Sequence, residues 1–329
     1  MWDFSLSRAF GAVLRTLPFV MLRLVVYFGM ALFMVFAVAL GSGVGYGIGR
    51  MTAGYHARLG GALWGGLAGL VLTVGLIRLA RSYILYLVKA GHIAVLVELY
   101  DGRSIPAGES QIRYGAQAVR THFVESSVLF GVDLAIKAVL QALIGTVNRI
   151  SAFLPIPGLR AILGIAEAVV RTSLTFVDEV ILAYLIRTGT QNPWETAKDG
   201  IILYAQNYRH FLKNAVWLTL FLWLITLAMF AVFLVPAGIL AAAVPGSHWV
   251  WAIVFAFVFA RALQLGMLEP LAIAALMEVF FTRIEGQRPD PEWQQRLTTT
   301  SRKFQELVDK AGRWAPSPSH QPPLPGAIP

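Results

Sequence analysis

The side chains best placed to do chemistry in this chain are ionisable groups set inside long apolar runs. Asp133 and Lys137 lie four residues apart, Glu167 and Arg171 repeat that spacing, and Asp178 follows Arg171 by seven. On a helix, seven residues return to the same face within about 20°. Arg261, Glu269 and Glu278 fall in a later apolar run, where Pro270 lacks the backbone N–H that a helix would use and predicts a kink. A lone charge at the centre of a membrane helix costs about 2.5–3.5 kcal/mol on the insertion scale, so such groups pair or line a wet path. Six acids (Asp133, Glu167, Asp178, Glu179, Glu269, Glu278) stand against three bases (Lys137, Arg171, Arg261), which leaves three acids over. An acidic surplus at membrane depth is what a cation or proton pathway uses. Glu269, beside Pro270, is the leading candidate for a cation-facing carboxylate, with Glu278, Asp178 and Glu167 secondary. For Asp133–Lys137 and Glu167–Arg171 the plainer account is a self-neutralising pair near the interface.

Other constellations point to packing. Gly41, Gly45 and Gly49 recur every four residues, as do Gly61, Gly65 and Gly69. On helices that spacing makes a flat groove that lets two backbones approach, either as a hairpin or in an oligomer. The Gly41–Gly49 run does not match G-x-G-x-x-G and follows no strand, so it is no nucleotide loop. Trp217, Phe221 and Trp223 at one end of an apolar run, and Trp249 and Trp251 at the start of the next, read as interfacial belts rather than an aromatic cage for a quaternary ammonium. The six histidines are scattered, and H-E-x-x-H, G-x-x-x-x-G-K-[ST] and G-x-S-x-G are all missing. Without cysteine there are no disulfides or thiolate metal sites. The expectation is therefore no enzyme, no metal and no cofactor.

The elements that must position these residues are apolar helices. Of 329 residues 57% are hydrophobic and 14% charged, against about 25% charged in a soluble domain. The predicted fold is all-α: a polytopic membrane bundle of about six spans at 18–45, 59–80, 126–147, 161–186, 216–244 and 249–281. The first apolar stretch is too long for a cleavable signal and lacks a small-residue cleavage site. Residues 1–16 read as an interfacial amphipathic helix, with Trp2, Phe4, Phe10, Val13 and Leu14 toward lipid and Arg8 and Arg15 toward water. Asn192-Pro193-Trp194-Glu195 has the form of a helix start and opens an interfacial elbow over 193–214. Residues 290–312 predict a last amphipathic helix on the cytoplasmic side, and six prolines in 315–329 predict a disordered tail. With the N-terminus inside, the inner segments hold 18 Lys and Arg, and the outer loops hold four: Arg50, Arg58, Arg149 and Arg160. That bias places both termini in the cytoplasm of a cell with an inner (plasma) membrane. The net charge of +9 matches anionic headgroups rather than nucleic acid.

Residues 117–293 carry a set of short motifs in order: Arg120-Thr121-His122 before a span, Ala197-Lys198-Asp199-Gly200 with Asn207 in the elbow, then Glu269 and Glu278 nine apart, followed by Arg283, Glu285 and Gly286. This order resembles the C-terminal half of the choline transporter-like family. The resemblance implies transport of choline or a similar organic cation. Two departures stand against it. Members of that family are larger, with more spans, and their charged cluster after the last acid is replaced here by Val279-Phe280-Phe281-Thr282. The favoured expectation is a small-solute or organic-cation permease with a polar path between the third, fourth and sixth spans. The rival is a non-transporting scaffold or assembly component of an envelope complex, with a homo-oligomer or another membrane protein as partner.

Overall fold

The computed structural model describes residues 2–51, 54–106, 109–122, 128, 131–140, 168, 172, 176–189, 192–244 and 249–314, with 78–84 and 121–122 described by their backbone alone. Every regular element among them is helical. In chain order they are α1 (Leu6–Arg15), α2 (Leu17–Met51), α3 (Tyr55–Tyr100), α4 (Gln111–His122), α5 (Val177–Thr188), α6 (Pro193–Gln206), α7 (Tyr208–Ala242) and α8 (Trp249–Leu263). A π-helical turn at Gln264–Leu268 follows, then α9 (Glu269–Ile284), α10 (Pro291–Thr300) and α11 (Arg302–Arg313). Residues 131–140 are also helical. Half of each of the predicted spans at 126–147 and 161–186 lies outside the described residues, as do Glu167, Arg171 and the tail 315–329.

Among the described residues, four helices are long and apolar enough to cross a membrane: Leu17–Met51, Tyr55–Ile77, Tyr208–Ala242 and Trp249–Ile284. Their outer surfaces are apolar. Val25, Val71, Val232, Val235 and Ile239 are each 70% exposed or more. Monomeric soluble proteins rarely leave a contiguous apolar patch of more than a few hundred Å² facing water, and such a belt fits a membrane protein. The described large apolar side chains of α5, α6 and α9 are by contrast turned inward. The molecule is thus divided along its length into an apolar-belted bundle (α2, the first half of α3, α7 and α8) and a base. The base consists of α1, the end of α3, α4–α6 and α9–α11. It has its own core, including Ile93, Ile181, Ile201 and Phe280.

The α2–α3 pair is an antiparallel hairpin, and the glycines set how closely it packs. A Cβ on Gly41 would overlap the carbonyl of Gly65, one on Gly45 that of Gly61, and one on Gly49 that of Ala57, while one on Gly69 would overlap Ala37. The two stripes face each other within one chain, so the oligomer contact considered for them is not needed.

The base is shaped by caps and by ties to the chain ends. Asn192 accepts from the Glu195 N–H at 3.2 Å and Asp290 from that of Glu292 at 2.8 Å, starting α6 and α10. The elbow expected over 193–214 stops at Gln206, because Asn207 ends α6 and residues 208–214 form the foot of α7. The helix expected over 290–312 is two, broken at Ser301, whose hydroxyl caps α11 at Phe304. In the N-terminal helix, Phe4 and Val13 face the protein rather than lipid, while Phe10 and Leu14 stay exposed.

Asp3 accepts from Lys213 Nζ and Asn214 Nδ2, each at 2.9 Å, and these bonds hold its carboxyl below the usual value of 3.8. A carboxyl depressed in the folded state adds stability above its unfolded value and loses it as pH falls through the lower, folded one. Acidification below about pH 4 should therefore loosen the α1 segment from α7, seen as faster amide exchange over residues 4–12, and Asp3→Asn should remove that acid step. The glycine stripe gives an internal comparison. Gly45→Ala should lower stability by about 1–3 kcal/mol through overpacking, whereas Gly47→Ala, with nothing within 4 Å of its Cβ position, should be neutral or gain up to about 1 kcal/mol in helix propensity. Denaturation of the two variants in detergent measures both.

Candidate functional site

The site begins with a backbone irregularity between α8 and α9. In the π-helical turn the Glu269 N–H reaches the Gln264 carbonyl, one residue further back than in an α-helix. In that register the Leu265 carbonyl would look to residue 270 for a donor, and residue 270 is a proline. Arg23 of α2 supplies the donor instead. Its Nη2 lies 3.1 Å from the Leu265 oxygen and 2.5 Å from Glu269 Oε2. Gly266 makes the approach possible, since a Cβ there would run into Leu24. The π-turn stands directly before Glu269 and Pro270, where the sequence predicts a kink.

From Glu269 a chain of charges runs through the top of the base. Lys89 of α3 donates to Glu269 Oε1 at 2.7 Å and to Glu179 Oε1 at 2.6 Å. Asp178, the neighbour of Glu179 in the first turn of α5, lies 3.3 Å from Lys137, which in turn holds Asp133 at 2.6 Å. Four carboxylates and three cations from five segments are gathered here, and Arg23 is 1% exposed. Pairs this deep lose solvation on both sides, and removing one partner costs about 3–5 kcal/mol because the other charge is left buried.

Among the described residues, the buried Arg23 Nε and Nη1 and Asp178 Oδ1 have no hydrogen-bond partner. A buried unpaired polar group costs about 1–3 kcal/mol.

Of the residues singled out in the sequence, Glu269, Asp178, Asp133 and Lys137 meet in this network. Glu278 does not. It lies two turns further along α9, where Arg8 pairs with it at 3.2 Å and the Ser5 N–H donates to it at 3.1 Å. Arg8, whose side chain is 79% exposed and so faces water as expected, is also a partner for an acid that has none one turn away on its own helix. Arg261 sits across the π-turn from the network. Its Nη1 donates to Gln264 Oε1, and both residues line a cleft of about 660 Å³ between α7 and α8. The glycine stripes lie on the α2–α3 hairpin and contribute no group to the network.

Helical spacing does not identify Arg23, Lys89 or Arg8 as partners, although an arginine five residues inside an apolar run is itself a signal. With these partners, each of the described acids Asp133, Asp178, Glu179, Glu269 and Glu278 has a cation beside it, so the acidic surplus does not hold among the described residues. No group of three or more His, Cys, Asp or Glu able to hold a metal occurs among them either.

Comparison with known proteins adds no relative: no family model matches the chain, and no curated protein or solved structure matches it.

Arg23→Met should destabilise the protein by about 3–5 kcal/mol. The double variant Arg23→Met/Glu269→Gln should cost less than the sum of its single changes, by about 1–3 kcal/mol. A double-mutant cycle on detergent unfolding measures the coupling, and strict additivity would contradict the pairing.

Proposed function

We propose that this protein is a multi-pass plasma-membrane permease for a small solute, with both termini cytoplasmic. In this reading the π-turn and its ion-pair chain form the element that moves between states. The observation that carries it is the gathering of four carboxylates and three cations from five segments directly beside the π-turn. The position of the π-turn, between the cleft that Arg261 and Gln264 help to line and the charge chain at Glu269, supports the same view, because π-turns inside helices are frequent at functional sites. Exchange of Arg23 or Lys89 between carboxylates would release α8 and α9 from α2 and α3 without leaving a charge unpaired.

An organic cation, the substrate class implied by the family resemblance, has less support now that the described acids have cationic neighbours. The rival reading, a non-transporting scaffold, draws on that same pairing. It also draws on the firm docking of α11 on α6, where Asn192 Nδ2 donates to the Ala311 carbonyl and Lys310 stacks on Trp194.

Uptake of labelled solutes, choline and monovalent cations included, into liposomes holding the purified protein tests the proposal. Wild type should show saturable flux, and Glu269→Gln should reduce it at least tenfold. No flux for any solute, together with a stoichiometric membrane partner on purification, would favour the scaffold. For topology, alkaline phosphatase fused at Arg58 should be active and fused at the C-terminus inactive.

A further inference from the structure

α1 borders the apolar belt and carries two faces of opposite character. Its C-terminal end runs through Thr16 into α2, whose first turns expose Leu17 and Met21. Its other end is held against α7, where Asp3 takes Lys213 and Asn214 and the Trp2 ring meets that of Trp217 at 6.4 Å. Trp217 is itself exposed, and the exposed Leu220 and Phe221 follow it. Both ends of α1 therefore stand where a long apolar helix begins to present its surface, and α1 lies along the edge of the belt. At 100° per residue Leu6, Phe10 and Leu14 share an arc of about 80°, and all three are exposed. Arg8 and Arg15 fall within about 20° of each other and about 140–160° from Phe10.

The arginine face forms one wall of a cleft of about 540 Å³, bounded by the end of α3 at Leu99 and by α9 at Met277 and Glu278. Gly11, between the two arginines, keeps the space open, since nothing stands within 4 Å of its Cβ position. Glu278 takes Arg8 through Nη1 alone, at 3.2 Å, and also accepts from the Ser5 N–H. The exposed Arg15 has no side-chain partner among the described residues. Two arginines against one carboxylate leave the cleft net positive.

A guanidinium fork matches the paired oxygens of a phosphate. An amphipathic helix with its apolar face in the hydrocarbon boundary holds its basic face at the level of the headgroups. The exposed stripe of α1, continuous with the belt through Leu17 and Met21, gives acyl chains a surface to lie on, and a soluble anion would make no use of it. Choline or ethanolamine would bring an ammonium up to the arginines, so the headgroup that fits is one without a cation. We propose that α1 lies in the bilayer interface and that the cleft beside it holds the phosphate of an anionic lipid headgroup, on Arg15 and the remaining N–H groups of Arg8. The proposal concerns binding and stands whether or not the protein transports.

The chain has no cysteine, so Gly11→Cys provides a single thiol in the cleft. The full-length variant in phosphatidylcholine nanodiscs would be labelled with a neutral, water-soluble maleimide, first alone and then with phosphatidylglycerol replacing part of the lipid. Labelling should slow about tenfold, and adding Arg15→Gln should recover about fivefold of that loss. Arg15 has no partner to strand, so this variant keeps its fold. Gly312→Cys on α11, with nothing within 4 Å of its Cβ position, measures the effect of a charged surface alone and should slow less than about twofold. Labelling unchanged by phosphatidylglycerol, or slowed as much with Arg15→Gln or at Gly312→Cys, would overturn the proposal. So would protection by inorganic phosphate or glycerol phosphate over a phosphatidylcholine bilayer, which would mark a site for a soluble anion.

Discussion

The arrangement of this protein depends on one carbonyl that its own helix cannot serve. In the register of the π-turn the donor for the Leu265 oxygen would be the nitrogen of Pro270, which carries no hydrogen. A bare carbonyl in a low-dielectric interior is expensive, and the guanidinium of Arg23 meets it. Arg23 then needs a counter-charge, which Glu269 provides from the next turn, and Glu269 in turn holds Lys89. α2, α3 and the α8–α9 helix are thereby locked at a fixed register by a backbone defect rather than by apolar packing alone. Gly266 is a condition of this arrangement, since a side chain there would hold α2 away.

The same interaction marks a boundary in the molecule. Outward from it the helices present apolar surface, and their close contact is between glycine backbones, where α2 and α3 touch with no side chain between them. Lipid supplies no hydrophobic drive to press helices together, so close van der Waals approach takes its place. Inward from it the packing resembles that of a soluble core, with aromatic contacts such as Phe211–Phe280 and Tyr204–Phe211. Arg187, packed over Phe281 and paired with Asp101 at 2.7 Å, fastens the end of α3 to α5 and α9. The ion-pair chain lies where the two regimes meet, close enough to the base for its charges to be gathered from several short segments.

Local patterns in the sequence determined a good part of this. The apolar runs identify α2, α7 and the α8–α9 helix, and Asn192 and Asp290 mark where α6 and α10 start, because capping is chemistry between neighbours in the chain. The glycine spacing identifies two flat faces, and Pro270 identifies the helix irregularity, since each is a property of one helix. Asp133 and Lys137 are readable as a pair for the same reason, being one turn apart. Only the tertiary structure decided the partners of Glu269 and Glu278, which come from 246, 180 and 270 residues away. Rules of helical spacing see one helix at a time, and the pairing of charges between helices depends on the register that glycines, caps and the π-turn jointly impose. An acid that looks unmatched along its own helix is therefore matched across the bundle, and the acidic surplus read from spacing alone gives way to a nearly neutral chain.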